Sequence, residues 1–274
     1  MMKPVSKLQL PPSPLSGCVF AAIFRDTRGA ALPDEDRVSY FPASPLVTLT
    51  LVRTGKLYML PTGRDWHDIS DLTPLPRLSA TPPTDVPISS WAPDDIEAIS
   101  FGIYPDAWVQ LGGDTGFSHI PPGLKAAVDA FDAHDDVDQG WAAFSTALAK
   151  TWSAQRRSWP AVTSISDWVR GLMVRTLTSG RGKSLRSLER RLKRASGHTR
   201  RTLDFHASFD NLHRVFYQHP KSPLAEIAVE AGYSDQSHMG RAVRRATGFS
   251  PAHLNRRIDT DEAFWCYRVL GERF

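Results

Sequence analysis

Apolar positions recur with two different periods along the chain, and the change of period divides it. Between residues 15 and 60 they come in short clusters, Val19 to Phe24 and Leu46 to Val52, rich in β-branched side chains and set apart by Pro, Gly and Asp. Such clusters predict short strands. Along Ile96 to Tyr104 the apolar residues Ile99, Phe101 and Ile103 alternate, the signature of a strand with one buried face. Residues 61–87 carry Pro61, Pro74, Pro76, Pro82, Pro83 and Pro87 and read as loop. After Pro121-Pro122 the period lengthens. Leu124, Val128 and Phe131, then Trp141, Phe144, Leu148 and Trp152, fall at helical spacing and predict two short helices. From Ile165 onward the chain reads as helical, broken at Gly180-Arg181-Gly182, Gly197, Pro220 to Pro223, Gly232 and Gly248-Phe249-Ser250-Pro251. The expected class is α+β: a β-rich domain over 1–120, a helical connector over 121–160, an all-α region over 161–258 and a tail over 259–274. The tail motif Phe264-Trp265-Cys266-Tyr267 suits either a core seam or a subunit contact.

The helical region holds its clearest pattern between Pro223 and Pro251. Leu224, Ala225, Ile227 and Ala228 put an apolar stripe on a short helix opened by Ser222 and Pro223, and the two alanines permit a close helix crossing. Gly232 follows where a helix ends in a left-handed residue. Asp235 or Ser234 can cap the next helix, on which Met239, Val243 and Ala246 face inward. Gln236, Ser237, Gly240, Arg241 and Arg244 share the other side. That is the plan of a helix-turn-helix.

An earlier copy is less sharply drawn. Ile165 to Thr178 supplies an apolar helix through Trp168, Val169, Leu172, Met173 and Leu177, Gly180 to Gly182 supplies a turn, and Ser184 caps a second helix. On it Leu185, Leu188, Leu192 and Ala195 point inward, while Arg186, Glu189, Arg190 and Lys193 share the outward face. Both units end alike: Leu192-Lys193-Arg194-Ala195-Ser196-Gly197 is echoed 51 residues later by Val243-Arg244-Arg245-Ala246-Thr247-Gly248. Thr199 to Gln218 reads as one spacer helix with a stripe of Leu203, Phe205, Leu212 and Phe216, and with His206 and His213 turned to solvent or phosphate. A rigid spacer suits two recognition helices set about 34 Å apart in successive major grooves.

Charge sharpens this picture. The net charge is only +4, but residues 1–154 carry 11 Lys/Arg against 18 Asp/Glu, whereas residues 155–258 carry 20 against 7. The acidic half does not attract a polyanion; the basic half does. On the outward faces Gln can pair with an adenine edge and Arg with guanine. Cys18 and Cys266, at opposite ends, make no metal-type pair and fit a reducing cytoplasm.

Those residues resemble the AraC/XylS family of bacterial transcription regulators. The likeness rests on Leu224-Ala225-Glu226-Ile227-Ala228, on Ala231-Gly232-Tyr233-Ser234-Asp235-Gln236-Ser237-His238, on Arg241, and on Gly248-Phe249-Ser250-Pro251. It continues through Ser184, Leu188, Arg190, Arg191 and Gly197, with Val243 and Leu192 where phenylalanine is usual. The resemblance implies base contacts from Arg186, Glu189 and Arg190 in the first unit and from Gln236, Ser237 and Arg241 in the second. Lys193, Arg244 and Arg245 complete the expected DNA-binding set. The N-terminal part loosely resembles the β-rich sensor-like domain that precedes this region in some members, through Ser89 to Pro93 and Phe101 to Trp108. The expected partner is double-stranded DNA. RNA polymerase, a homodimeric partner and a small-molecule effector at the N-terminal domain stand as open expectations, as do activation or repression.

Two other classes compete. An N-terminal enzyme domain fused to a DNA-binding module would have Cys18 as its sole candidate nucleophile, with no nearby His. A protein binding nucleic acid without sequence preference would show equal affinity for operator and random duplex at one salt concentration. His67 between Asp65 and Asp68, and His134 among Asp132, Asp135 and Asp136, lack the paired His or Cys spacing of a firm metal site. No cofactor, no membrane partner and no enzymatic activity are expected.

Overall fold

The computed structural model describes residues 2–61, 63–155, 162, 164–179 and 184–273. The N-terminal third folds into β1 (Val5–Gln9), β2 (Val19–Asp26), β3 (Val38–Phe41), β4 (Val47–Thr54), β5 (Tyr58–Leu60), β6 (Leu78–Thr81), β7 (Ile88–Trp91) and β8 (Glu97–Ile103). The expected strands at Val19, Leu46 and Ile96 are thus β2, β4 and β8. Antiparallel pairing joins five strands into one sheet, β1-β2-β8-β4-β6, and three into another, β3-β7-β5. The reading of 61–87 as loop needs correcting at β6, whose four residues pair with β4 from Leu78↔Leu51 to Thr81↔Thr48. Pro76 and Pro82 lie outside the ladder, and an edge strand this short shows no apolar alternation.

Alternation along β4 and β8 gives the five-stranded sheet two unlike faces. Leu49, Leu51, Ile99, Phe101 and Ile103 are all buried. They pack with α1 (Pro105–Gln110), α2 (Pro122–Asp132) and α3 (Val137–Gln155) in one core. Phe101 meets Phe131 edge-on at 5.6 Å and stacks on Phe144 at 4.4 Å. The two expected connector helices are therefore built onto the sheet, and the second runs for 19 residues. The opposite face presents the small residues Thr48, Thr50, Ser100 and Gly102 toward a space between the two sheets.

The helical region comprises α4 (Ile165–Thr178), α5 (Leu185–Ser196), α6 (Arg200–Gln218), α7 (Leu224–Glu230), α8 (Gln236–Thr247), α9 (Pro251–Thr260) and α10 (Trp265–Gly271). Its two halves join different sheets. Trp168, Leu172, Leu188, Leu192 and Leu203, from α4 to α6, belong to the core beneath the five-stranded sheet. Ile227, Met239, Val243, Leu254 and Phe264 share a second core with Val38, Leu60 and Trp91 of the three-stranded sheet. Burial also corrects five expectations. Leu177, the last of the apolar set expected on α4, is 61% exposed. Leu185 is 77% exposed, because it stands at the first position of α5 ahead of the inward stripe. Ala225 is exposed and only Ala228 sits in the helix crossing. His206 is buried, and His213 is half-buried beside Phe209, with which it stacks at 5.8 Å; neither faces solvent. The tail covers a core seam: Phe264, Trp265, Cys266 and Tyr267 are all buried.

Candidate nucleic-acid interface

Two helices, α5 and α8, are built by the same local devices at the same offset. Ser184 caps α5, its hydroxyl accepting from Ser187 N at 3.3 Å; Asp235 caps α8, accepting from His238 N at 2.6 Å. These bonds satisfy amide donors that the first helical turn leaves without a partner. The His238 amide, its strongest influence, and the Ser234 hydroxyl hold the Asp235 carboxyl below the usual carboxylate range. At the far ends Ser196 and Thr247 donate to the carbonyls of Leu192 and Val243, at 2.7 and 2.8 Å. The same two hydroxyls accept from His198 N and Phe249 N, at 3.2 and 3.1 Å. Gly197 and Gly248 then close the helices at φ +75° and +83°, each amide bonding four residues back at 2.8 Å. The echo in the sequence is an echo in hydrogen bonding.

The turn before α8 is equally well determined. Gly232, at φ +89°, lets Tyr233 N reach Ala228 O at 2.8 Å, the left-handed helix termination its position predicts. Asn211 of the spacer helix α6 donates to Ala231 O at 3.1 Å and fixes that turn to the spacer. Thr199 caps α6 through Thr202 N. The corresponding turn of the first unit, Gly180 to Gly182, lies outside the described residues.

All nine candidate contact residues lie on α5 and α8, and all are exposed: Arg186, Glu189, Arg190 and Lys193 on the first, Gln236, Ser237, Arg241, Arg244 and Arg245 on the second. Among the described residues Arg186, Arg190, Lys193, Arg241 and Arg244 form no ion pair. Arginines of the β-rich part behave otherwise: Arg53 binds Glu97 and Asp132, both at 3.2 Å, and Arg28 binds Asp26 at 2.8 Å and Glu97 at 2.9 Å. Unpaired positive charge is thus gathered on the outward faces of α5 and α8, while other arginines of the helical region, Arg175 and Arg257 among them, are paired with carboxylates; such a concentration attracts a polyanion.

Arg245 differs from its neighbours. Its guanidinium meets Asp85, in the loop between β6 and β7, at 3.1 Å and lies 4.0 Å from the Phe205 ring centre. Ala43 N, after β3, donates to Ala246 O at 2.7 Å. The end of α8 is thereby fastened to the β-rich part. Arg194, outside the expected set, is exposed at the position that the 51-residue echo matches to Arg245.

Beneath Arg245 lies a buried histidine pair, His198 and His206, with ring centres 5.2 Å apart. Burial, then the charges of His198 and Arg245, push the His206 ring down to about 3, with Asp85 opposing. The first unit is fastened by a different group. Asp106 of α1 accepts from Trp168 Nε1 at 2.8 Å and pairs with Arg175 at 2.6 Å, both on α4. Burial raises its carboxyl despite those two partners. Cys18 is fully buried in the same core, its thiol raised by burial.

With this geometry in view, residues 179–257 match a family model described as a helix-turn-helix domain. The C-terminal region is an AraC-type helix-turn-helix domain. A domain of this type supports a DNA-binding role, and the match runs from Ser179, directly after α4, to Arg257 within α9. The β-rich region followed by a helical DNA-binding region also resembles ToxT from Vibrio cholerae, at 9% identity and TM-score 0.43 over 92% of this chain and 97% of that one. ToxT bound to (E)-4-(8-methylnaphthalen-1-yl)but-3-enoic acid is similar at 8% identity and TM-score 0.40, over 92% and 98%. No curated protein matches the sequence. Among the described residues no helix is long and apolar enough to cross a membrane.

Proposed function

We propose that this regulator reads duplex DNA with α5 and α8 in successive major grooves, under the control of a small molecule held by the β-rich part. The observation that carries the reading is the matched pair of helices, identically terminated, with Arg190 and Arg241 at equivalent exposed positions. Arg190 and Arg241 would address guanine edges, Gln236 an adenine edge, and Arg186, Ser237 and Glu189 the flanking bases. Lys193 and Arg244, one turn further along, suit phosphates, which supply affinity without sequence information. Arg245 joins them only when Asp85 releases it.

Selection of bound duplexes from random DNA, followed by competition at fixed salt, tests this reading. A regulator of this kind prefers the selected duplex over its scrambled version by about a thousandfold or more. Equal affinity for both would reduce the protein to a basic surface that binds any duplex.

A further inference from the structure

Between the two sheets lies a cavity of about 140 Å³ that opens to solvent, room for a small apolar molecule. Thr48, Thr50, Ser100 and Gly102 form its floor on the five-stranded sheet; Met59 and Ile88 face them from the three-stranded one. Among the described residues no charged side chain lines it. Thr50 and Ser100 hydroxyls are bonded to one another at 2.9 Å, which uses part of their capacity for a ligand. Arg25, in the adjoining hollow with Trp265, is committed to Glu262 at 2.7 Å and to Ser6 at 2.8 Å. Arg273, in a second adjoining hollow, lies 3.6 Å from the Phe20 ring centre and pairs with Asp210 at 3.9 Å. Among the described residues a buried ligand anion would thus meet only cations already paired with a carboxylate, and leaving it unpaired is costly.

The remaining wall comes from the other end of the chain. Cys266 and Leu270 of α10 line the same space. Trp265 Nε1 donates to Ser39 Oγ at 2.9 Å, its ring meets Phe41 edge-on at 6.0 Å, and Arg25 lies 5.1 Å from the ring centre. Tyr217 of α6 donates to Tyr267 O at 2.9 Å. A single 3-10 turn, Glu262–Phe264, separates α10 from α9, whose Leu254 and Ile258 share a core with Met239 and Val243 of α8. A molecule in this space therefore touches a helix continuous with the DNA-binding domain.

We propose that the space binds an uncharged, largely apolar small molecule, and that α10, as part of its wall, carries occupancy to α8. The proposal rests on the effector control stated above and names its ligand class and its moving part.

The test uses the full-length chain with N-phenyl-1-naphthylamine, which is uncharged, and 8-anilino-1-naphthalenesulfonate, its sulfonated counterpart. Leu270→Trp fills the space from the tail and Thr50→Leu from the sheet, so that either alone suffices if the other misfolds. A Cys18→Ala background leaves Cys266 as the one thiol to follow with a thiol reagent. The neutral probe should bind once per chain, about tenfold or more tighter than the sulfonate, and both fillings should weaken it about tenfold. At saturation it should slow Cys266 labelling and shift affinity for the selected duplex, in wild type but not in Leu270→Trp. Equal or tighter binding of the sulfonate, binding indifferent to both fillings, unslowed labelling, or unchanged duplex affinity would overturn the proposal. Duplex affinity without probe separates the two claims: its absence sinks the regulator reading, while its presence without probe binding sinks only this one.

Discussion

Arg190 and Arg241 each stand six residues beyond the residue that caps their helix, Ser184 and Asp235. One further turn brings Lys193 and Arg244 to matching positions as well, so the two pairs divide the work of recognition. Arg190→Ala or Arg241→Ala should each cost about 1–3 kcal/mol on the selected duplex and much less on random DNA. Lys193→Ala or Arg244→Ala should weaken binding to both alike and lower the salt slope by about 1. Equilibrium titrations at several salt concentrations separate the two patterns. An equal loss on both duplexes would make the arginines phosphate contacts.

Helix termination by Gly197 and Gly248 predicts unequal penalties for the same change. Both hold a left-handed φ, where a Cβ costs about 1 kcal/mol. At Gly248 the added carbon meets only Pro87, at 3.7 Å, but at Gly197 it reaches 3.0 Å from the Phe117 ring. Denaturant unfolding should rank Gly197→Ala as the more damaging. The reverse order would mean that the Phe117 ring gives way freely.

His206 predicts an acid-sensitive seam between the DNA-binding domain and the β-rich part. The folded ring stays neutral to about pH 3, whereas the unfolded one titrates near 6.5. Between these values only the unfolded chain binds the proton, so the contribution is complete above pH 6.5 and lost progressively as pH falls. At pH 5 the loss is on the order of 2 kcal/mol. The neighbours His198, Arg245 and Asp85 share in it. His206→Phe should flatten stability between pH 7 and 5; an unchanged slope would clear this residue.

Tail docking predicts stability effects far from any DNA contact. Trp265 is 4% exposed, so Trp265→Ala should cost about 3–5 kcal/mol, and Trp265→Phe, which loses the Ser39 bond and some contact area, far less. Removing Glu262 alone strands the buried Arg25, which is worse than replacing both by apolar residues. Thermal unfolding of Glu262→Ala against the double Arg25→Met, Glu262→Leu checks this. A double variant less stable than the single one would count against it.

What the sequence disclosed follows from the range of the interactions involved. Ser184, Asp235, Gly197, Gly232 and Gly248 act within one helical turn, so caps and turns could be read residue by residue. The inward stripe of Met239, Val243 and Ala246 is set by helical period alone, and so is the exposed face opposite. Asp85 meeting Arg245 across 160 positions, or Trp265 meeting Ser39 across 226, leaves no periodic trace. The burial of His206 leaves no such trace either: it comes from its helix packing on its neighbours, with His198 at one side. Short edge strands such as β6 have too few residues to alternate visibly.

The most direct measurement is a binding matrix of wild type, Arg190→Ala and Arg241→Ala against the selected duplex with point changes along its length. Two helices in successive grooves predict that each variant loses discrimination in one segment only, the two segments lying about 10.5 base pairs apart. Loss by both variants in one common segment, or across the whole duplex, would contradict the account.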